Sequence, residues 1–318
     1  MVQTIKVLVT GASGYLGQHF VQALIGGNGN YEIYGLYQSL HSFTEGISHG
    51  CSSEGESISL HKLDITNKLE VDEFMSTYGP FNICFHLAAL SSPRLCHEAP
   101  EKAKEINVPT HLFEKLRETP LVALSTDQVY CGKQAPYENS ARTGPVNAYA
   151  QSKVEMEDCL LKDGDRKRPV VCLRSSIILG PLSPFADSHS TFLHFCESRN
   201  GQTTTFFTDE IRSVIAVGDV LKILLYFVKE KVINSFEQGV YNMGGSQRVS
   251  RMDIAEAVAI FIGFPTDNFY PAEKGSIVQD EKIGFASPLD ISMKSHELET
   301  LVGFRFGDLS QIVKAAFQ

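Results

Sequence analysis

The chain has 318 residues, of which 43% are hydrophobic and 20% charged, a composition that excludes intrinsic disorder as the main state. Its length exceeds that of one small module and fits one large or two modest domains. The 28 Lys and Arg against 37 Asp and Glu give a formal net charge of −9, which argues against a nucleic-acid partner because phosphate contacts need a basic face.

Three further classes of protein are disfavoured. No apolar run reaches the roughly 18–20 residues of a membrane span, and no secretory leader precedes the first strand-like run, so a cytoplasmic protein is expected. The cysteines form no Cys-X-X-Cys pair, which predicts buried thiols in a reducing compartment rather than disulfides. No His-Glu-X-X-His motif or clustered ligand set is present, so no metal site is predicted.

Strands and helices alternate through the first half of the chain. The apolar run at 5–9 predicts a buried strand, and the spacing of Leu16, Phe20 and Leu24 predicts a helix after it. Further strands are predicted at 31–37, 58–65, 81–87, 121–125 and 170–173, and further helices at 67–78, 101–118 and 148–161. This alternation predicts an α/β fold with a doubly wound parallel, Rossmann-type sheet.

Two segments depart from the alternation. The Ser-, Gly-, His- and Glu-rich stretch 39–57 is predicted to be a mobile surface loop within the first domain. After residue 180 the pattern fades, with Asp219 as the expected N-cap of a helix at 220–229, a capping box at 250–253 and a short amphipathic helix at 309–318. We predict a dinucleotide-binding domain over 1–179 and a smaller α+β substrate-binding lobe over 180–318, whose strands could return to the main sheet.

A glycine-rich loop links the first strand to the first helix. Gly11 permits a tight turn, Gly14 lets the backbone approach a pyrophosphate, and Gly17 lets helix and strand pack closely. The helix N-terminus then offers free N–H groups to the phosphates, which predicts a dinucleotide site that also includes Ser13, Tyr15 and Leu16. A purely structural turn is the alternative.

The end of the second strand bears on the choice of cofactor. Sites for NAD usually carry an acidic residue there, which binds the ribose 2′-hydroxyl. In this chain the position holds Gln38 and Ser39, so a 2′-phosphate meets no carboxylate and NADP(H) is favoured over NAD(H). No arginine is present there to bind that phosphate.

A tyrosine and a lysine lie four residues apart on a predicted helix. Tyr149 and Lys153 therefore share one helix face, and a nearby ammonium favours the phenolate and lowers the pKa of the tyrosine. The pair could pass a proton to or from a substrate oxygen while hydride moves at carbon. Thr126 ends the fifth strand, where doubly wound sheets bind ligands, and would supply a hydroxyl to the same oxygen.

These features, taken together, resemble the extended short-chain dehydrogenase/reductase superfamily over nearly the whole chain. The resemblance implies that further residues line the adenine, the cofactor ribose or pyrophosphate, and the nicotinamide edge. They are Asp64, Ile65, Leu87, Ala88, Ala89, Asn107 and Arg174, together with the cofactor-binding roles of Tyr149 and Lys153. Structural alternatives are a turn for Asp64, close packing for the two alanines and a helix-kink donor for Asn107.

Within the superfamily, segments 125–130, 147–153 and 173–177 are most similar to the dTDP-4-dehydrorhamnose reductase branch, which includes the regulatory β subunit of methionine adenosyltransferase. The resemblance implies substrate contacts from Ser91, Asp127, Gln128 and Arg212. Gln128 replaces the glutamate of related dehydratases, and an amide cannot take the proton that dehydration requires. Arg212 would bind a diphosphate, or alternatively pair with Asp209, Glu210 or Asp219.

The sequence thus predicts an NAD(P)H-dependent reductase of a ketone, with a 4-keto sugar nucleotide as one candidate substrate and Tyr149 as the proton donor. One alternative is a non-catalytic, NADP-binding regulatory subunit of methionine adenosyltransferase, and another is a sugar-nucleotide epimerase. The expected partners are a small-molecule substrate and either a second copy of the chain or an enzyme such as methionine adenosyltransferase.

Overall fold

A computed structural model describes residues 4–318 except 28, 39–42, 44–46, 48–56, 166, 168, 186–188, 234–237 and 277–285. The segment predicted as a mobile loop therefore lies mostly outside the described residues. Two of its residues that are described, Phe43 and Ile47, are 0% and 3% exposed and pack into the core. The prediction of a surface loop is therefore wrong at these two positions. The polar composition of the surrounding stretch gave no sign that their apolar side chains are buried.

Seven parallel strands form the central sheet. They are β1 (Ile5–Thr10), β2 (Tyr31–Tyr37), β3 (Ser57–Lys62), β4 (Ile83–His86), β5 (Leu121–Thr126), β6 (Val170–Ser175) and β10 (Gly239–Met243). Their order across the sheet is β10-β6-β5-β4-β1-β2-β3. Four short strands pair in two further parallel sheets, β7 (Ile178–Leu179) with β9 (Ile215–Ala216), and β8 (Thr204–Phe207) with β11 (Phe269–Ala272).

Helices cover both faces of the central sheet. In chain order the described helices are α1 (Tyr15–Ile25), α2 (Lys68–Tyr78), α3 (Pro93–Glu98), α4 (Pro100–Asn107), α5 (Thr110–Lys115), α6 (Ala148–Leu161), α7 (Phe192–Glu197), α8 (Val217–Ile233), α9 (Arg251–Ile262), α10 (His296–Val302) and α11 (Leu309–Phe317). Side chains alternate along β1, so Val7 and Val9 join the core beneath α1 and α8, while Leu8 joins the core beneath α2, α5 and α6. The predicted doubly wound Rossmann-type fold is confirmed.

The sheet reverses its winding at β1, which has β4 on one side and β2 on the other. Ligands of open α/β sheets bind at such a switch point, beyond the carboxyl ends of the strands. The glycine loop, the residues after β4 and the end of β5 all lie on that edge. The fold therefore brings the predicted cofactor and catalytic residues to one edge of the sheet.

The later part of the chain is interwoven with the first. Strand β10 pairs with β6 in the main sheet, and α8 packs against α1. Helices α7, α9 and α11 surround a separate apolar core, in which Leu309, Ile312 and Val313 of the predicted C-terminal helix are buried. No helix of the described residues is long and apolar enough to cross a membrane.

Local predictions for this region differ in accuracy. The capping box at the start of α9 is confirmed, since the Ser250 side chain accepts from the Asp253 N–H and the Asp253 side chain accepts from the Ser250 N–H. The prediction that Asp219 is the N-cap of this helix is wrong, because α8 begins at Val217, two residues before it. The Asp219 carboxylate instead accepts hydrogen bonds from the Gly307 N–H at 2.8 Å and the Lys222 Nζ at 2.9 Å.

Candidate functional site

The glycine-rich loop is built for close backbone contact. Gly11 has φ +71°, and a Cβ there would lie 2.7 Å from the Ala88 nitrogen. A Cβ at Gly17 would lie 2.1 Å from the Gly11 carbonyl oxygen, so only glycine lets α1 pack this closely on the loop. Helix α1 begins after Gly14 with no side-chain cap and no acidic residue in its first turn. Its N–H groups thus present a positive end suited to a pyrophosphate.

Two residues that the sequence did not single out hold this loop in place. Gln18 is fully buried; its side-chain amide donates to the Ser13 carbonyl at 2.9 Å and accepts from the Phe185 N–H at 3.0 Å. His189 Nε2 lies 3.0 Å from the same Ser13 carbonyl. Residues from the later part of the chain therefore fix the loop, a long-range effect that no local motif reveals.

The cofactor's adenosine end would face the ends of β2 and β3. Gln38 is exposed at the end of β2, and Ser39 lies outside the described residues. Asp64 follows β3 and accepts from the Thr66 N–H at 2.9 Å and its hydroxyl at 2.8 Å, so it makes the turn that was the alternative to a cofactor contact. Ile65 is buried beside it.

The residues after β4 contact the end of β1 and the glycine loop. Thr10 Oγ1 contacts His86 Nδ1 at 2.9 Å and accepts from the Ala88 N–H at 3.2 Å, which joins the ends of β1 and β4. Burial, with a smaller contribution from the Lys153 charge, lowers the pKa of His86 to about 3, so its imidazole is neutral. Leu87 and Ala89 are half-buried on either side of Ala88.

The three predicted catalytic side chains are buried where β5 and α6 meet. Thr126, Tyr149 and Lys153 are 6%, 8% and 2% exposed, and Thr126 lies close enough to Tyr149 to act on the pKa of its phenol. Burial raises the pKa of Tyr149 above its usual value, and the Asp127 carboxylate adds to this rise. The expected lowering of this pKa by Lys153 is therefore not found, because burial sets the pKa, and Tyr149 holds its proton.

Lys153 is a buried cation with few partners. In the described part of the chain its Nζ makes one hydrogen bond, to the Met156 sulfur at 3.4 Å. An ammonium carries three donors, so most of its hydrogen-bonding capacity is unused. Burial lowers the pKa of Lys153 to about 8. A buried ammonium with unused donors fits hydroxyls supplied by a ligand, such as those of a nicotinamide ribose.

Arg174 and Asn107 are both buried and bonded to other parts of the fold. Arg174 forms a buried ion pair with Glu157, whose Oε2 lies 2.7 Å from its Nη2, and Glu157 also accepts from the Ser125 hydroxyl at 2.5 Å. Asn107 bonds the Leu90 backbone and donates to the Ser152 hydroxyl at 2.8 Å. These contacts tie α6 to β5, to β6 and to the segment after β4, and the cofactor role of the two residues stays a prediction.

The predicted substrate residues divide into two groups. Ser91 is exposed and Gln128 is half-buried, with its side-chain oxygen accepting from Asn147 Nδ2 at 3.1 Å. Asp127 is buried; it accepts from the Thr126 hydroxyl at 3.3 Å and the Ser176 hydroxyl at 2.9 Å. Burial raises the pKa of Asp127, against the opposing charge of Arg212.

Arg212 is placed in the ion pair that was the alternative to diphosphate binding. Its side chain is 4% exposed, and its Nη2 donates to the Glu210 carboxylate at 3.0 Å. Glu210 also accepts from Arg251 Nε at 3.0 Å and Lys274 Nζ at 3.1 Å. The sequence offered Glu210 as a partner for Arg212, and Arg251 as a residue that could flank the same cleft, but gave no sign of Lys274.

Comparison with known proteins gives a family match and a similar curated protein. The sequence model of the NAD dependent epimerase/dehydratase family matches residues 7–244. The curated protein named methionine adenosyltransferase 2 subunit beta, from Xenopus laevis, is 22% identical over 287 residues, which cover 88% of this chain and 77% of that protein.

Solved structures share the fold at low sequence identity. A dTDP-4-dehydrorhamnose reductase from Bacillus anthracis, in complex with NADP, aligns with TM-score 0.75 and 18% identity over 100% of this chain and 99% of its own. A UDP-glucose 4-epimerase from Bifidobacterium longum, in complex with NAD+ and UDP, aligns with TM-score 0.76 and 18% identity over 98% and 96%. The predicted resemblance to an NAD(P)-dependent family is confirmed, and the neighbours include both reductase and epimerase.

Proposed function

Because the chain belongs to the NAD dependent epimerase/dehydratase family, we propose that it is an NAD(P)H-dependent reductase that converts a ketone into an alcohol. The observation that carries this proposal is the buried set of Thr126, Tyr149 and Lys153. In that set the tyrosine keeps its proton and the lysine has unused donors. A keto sugar is the first substrate class to test, since the structural neighbour from Bacillus anthracis is named a dTDP-4-dehydrorhamnose reductase.

The chain's own residues account for the proton in this reaction. The bound nicotinamide would supply the hydride to the carbonyl carbon. Tyr149 donates its phenolic proton to the carbonyl oxygen, and the raised pKa of Tyr149 ensures that this proton is present before reaction. The Thr126 hydroxyl, next to the phenol, orients the same oxygen. The Lys153 ammonium then stabilises the phenolate that remains.

The residues also fit the cofactor. The uncapped start of α1 and the glycine cradle suit a pyrophosphate, and Lys153 suits the ribose hydroxyls. We propose NADP(H) over NAD(H), because β2 ends in Leu36 and Tyr37 and is followed by Gln38, with no carboxylate to repel a 2′-phosphate. Titration with both cofactors tests this, and tighter binding of NADH than of NADPH would contradict it.

Turnover and one conservative substitution test the reductase. Purified protein is mixed with NADPH and a panel of ketones, including keto sugars in free and nucleotide-bound form, and the NADPH absorbance is followed. Tyr149→Phe removes the proton donor while keeping the ring, so we expect kcat to fall by about 10²–10⁴-fold with NADPH binding retained. Tyr270→Phe, at an exposed position of β11, is the matched control.

Two other functions remain as competing proposals. The relative from Xenopus laevis is named a subunit, which favours an NADP-binding regulatory partner of a methionine adenosyltransferase. Absence of turnover with every ketone, together with NADPH binding and co-purification of that enzyme, would favour this second function. An epimerase would instead convert its substrate without net loss of NADPH, so product analysis separates it from a reductase.

A further inference from the structure

Thr126 and Tyr149 both lie at the start of a helical turn. Tyr149 is the second residue of α6, and Thr126 is followed by a single turn over residues 127–129, whose Gln128 N–H donates to the Thr126 hydroxyl at 3.3 Å. The first N–H groups of a helix have no partner within it, so a helix holds its own first turn less firmly than its interior. The separation of the phenol from the hydroxyl therefore depends on the contacts that fix these two turns.

Asn147 fixes the first turn of α6. It is the N-cap of this helix, and its Oδ1 accepts from the Ala150 N–H at 2.9 Å, while its backbone carbonyl accepts from the Gln151 N–H at 2.9 Å. Because an amide oxygen accepts and an amide nitrogen donates, the cap determines which way this side chain is turned. The Nδ2 group is thus left to donate to other parts of the chain.

The Nδ2 group of Asn147 bonds two other segments. It donates to Gln128 Oε1 at 3.1 Å, in the turn after β5, and to the Ala286 carbonyl at 3.0 Å, in the later part of the chain. The acceptor and both donors of the amide are then used, so the side chain has one defined orientation. A single side chain therefore joins the helix of Tyr149, the turn of Thr126 and a distant segment.

This junction lies close to the reacting groups. Asn147 and Gln128 are each two residues from a catalytic side chain, so their hydrogen bond joins the two turns directly. The hydrogen bond from the Ser125 hydroxyl to Glu157, at 2.5 Å, also ties β5 to α6, but Glu157 lies about three turns further along the helix. A contact so far along orients the helix as a whole and constrains its first turn less.

We propose that Asn147 is a positioning residue of the reaction, which sets the separation between the Tyr149 phenol and the Thr126 hydroxyl. It does so by holding the first turn of α6 against Gln128. The inference rests on the proposed reductase function and adds a residue to its machinery. The phenol that gives the proton and the hydroxyl that orients the carbonyl must reach one oxygen, and such a set has to be held to within about 0.5 Å.

Replacing Asn147 by serine separates capping from positioning. Serine is as good an N-cap as asparagine, but it has no amide that could bond Gln128 and Ala286. For Asn147→Ser we expect an unchanged urea midpoint and an unchanged dissociation constant for NADPH. We expect kcat to fall at least about tenfold, because a displacement of about 1 Å can cost about 10²-fold, and KM to change less than kcat. Asn67→Ser, the same change at the exposed N-cap of α2, is the matched control and should keep the wild-type kcat.

A double variant shows whether Asn147 acts through Tyr149. The Tyr149→Phe protein has no phenolic proton to place, so adding Asn147→Ser should lower its residual turnover by less than about twofold. A role in the general stability of the site would lower turnover equally with or without the phenol. A further loss of about tenfold in the double variant would therefore overturn the proposal.

The single variant decides the proposal in the same way. A folded Asn147→Ser protein with the kcat of the wild type would overturn it. If that variant does not fold, Asn147→Thr takes its place, since threonine also caps and also lacks the amide. A lack of turnover with every ketone refutes the reductase, whereas crystal structures of the wild-type and variant proteins still test the positioning. We expect the distance from Tyr149 Oη to Thr126 Oγ1 to grow by at least about 0.5 Å, and an unchanged distance would refute the role of Asn147.

Discussion

The buried ion pair between α6 and β6 gives a quantitative prediction. Glu157 and Arg174 have side chains 5% and 8% exposed. Burial opposes the charge of Arg174, but the hydrogen bonds and charge of Glu157 more than offset this, so the pKa of Arg174 is raised. Three hydrogen bonds of 2.7–3.2 Å join the two groups. Removing one partner of such a pair destabilises the protein, because the other charge is then left buried without compensation.

Glu157→Gln keeps the side-chain volume but removes the charge, and its NH2 group faces the guanidinium donors. We expect the free energy of unfolding to fall by about 3–5 kcal/mol, the usual cost of leaving a buried charge without its partner. The double variant Glu157→Gln with Arg174→Met removes both charges. Its loss should be smaller than the sum of the two single losses by at least about 2 kcal/mol.

Urea unfolding at pH 7, followed by circular dichroism, measures these losses. Asp158→Asn is the matched control, since it makes the same chemical change one residue along α6 in an exposed pair with Lys162. Exposed pairs contribute about 0–1 kcal/mol, so this control should hardly change the midpoint. A Glu157→Gln protein no less stable than Asp158→Asn, or losses that add in the double variant, would refute the reasoning.

Three shorter predictions follow. Gly17→Ala should weaken NADPH binding at least about tenfold and cost roughly 1–3 kcal/mol, because its Cβ meets the Gly11 carbonyl; unchanged binding in a fluorescence titration would contradict this. In the reductase assay kcat/KM should fall as pH rises through about 8, where Lys153 loses its proton, and Lys153→Arg should move this fall to higher pH. Glu210 should contribute about 3 kcal/mol of stability above about pH 5 that is lost as pH falls toward 2, so Glu210→Gln should flatten the acid limb relative to Glu256→Gln in denaturant titrations.

What could be predicted from the sequence was determined by local spacing. The three glycines, and Tyr149 with Lys153, each lie within about two helical turns of chain, so their spacing alone sets their relative positions. Thr126 could be added because parallel strands end on one edge of a sheet. The periodic patterns of apolar residues likewise gave the strands and helices of the main sheet.

Features that depend on distant segments could not be predicted. Gln18 and the glycine loop contact residues near 185, and the start of α8 follows directly from β9 rather than from a local cap. The charge of Lys153 was expected to set the pKa of Tyr149, but the degree of burial sets it, and burial is a property of the folded molecule. The family resemblance pointed to the position of Arg212. Two of its four hydrogen bonds go to the carbonyls of Pro288 and Leu289, which are distant in sequence, so they could not be predicted.

The charges near Asp127 bear on substrate choice. Asp127 accepts hydrogen bonds from Thr126 and Ser176, and the charge of Arg212 acts on it. The formal net charge of −9 creates a general negative field, which repels an anionic substrate unless local cations offset it. Glu210 is one carboxylate that pairs with three cations, Arg212, Arg251 and Lys274, so the local charge there is positive although the chain as a whole is acidic. A phosphorylated ketone would therefore find cations in this part of the chain, which is why the substrate panel needs keto sugars both with and without a diphosphate.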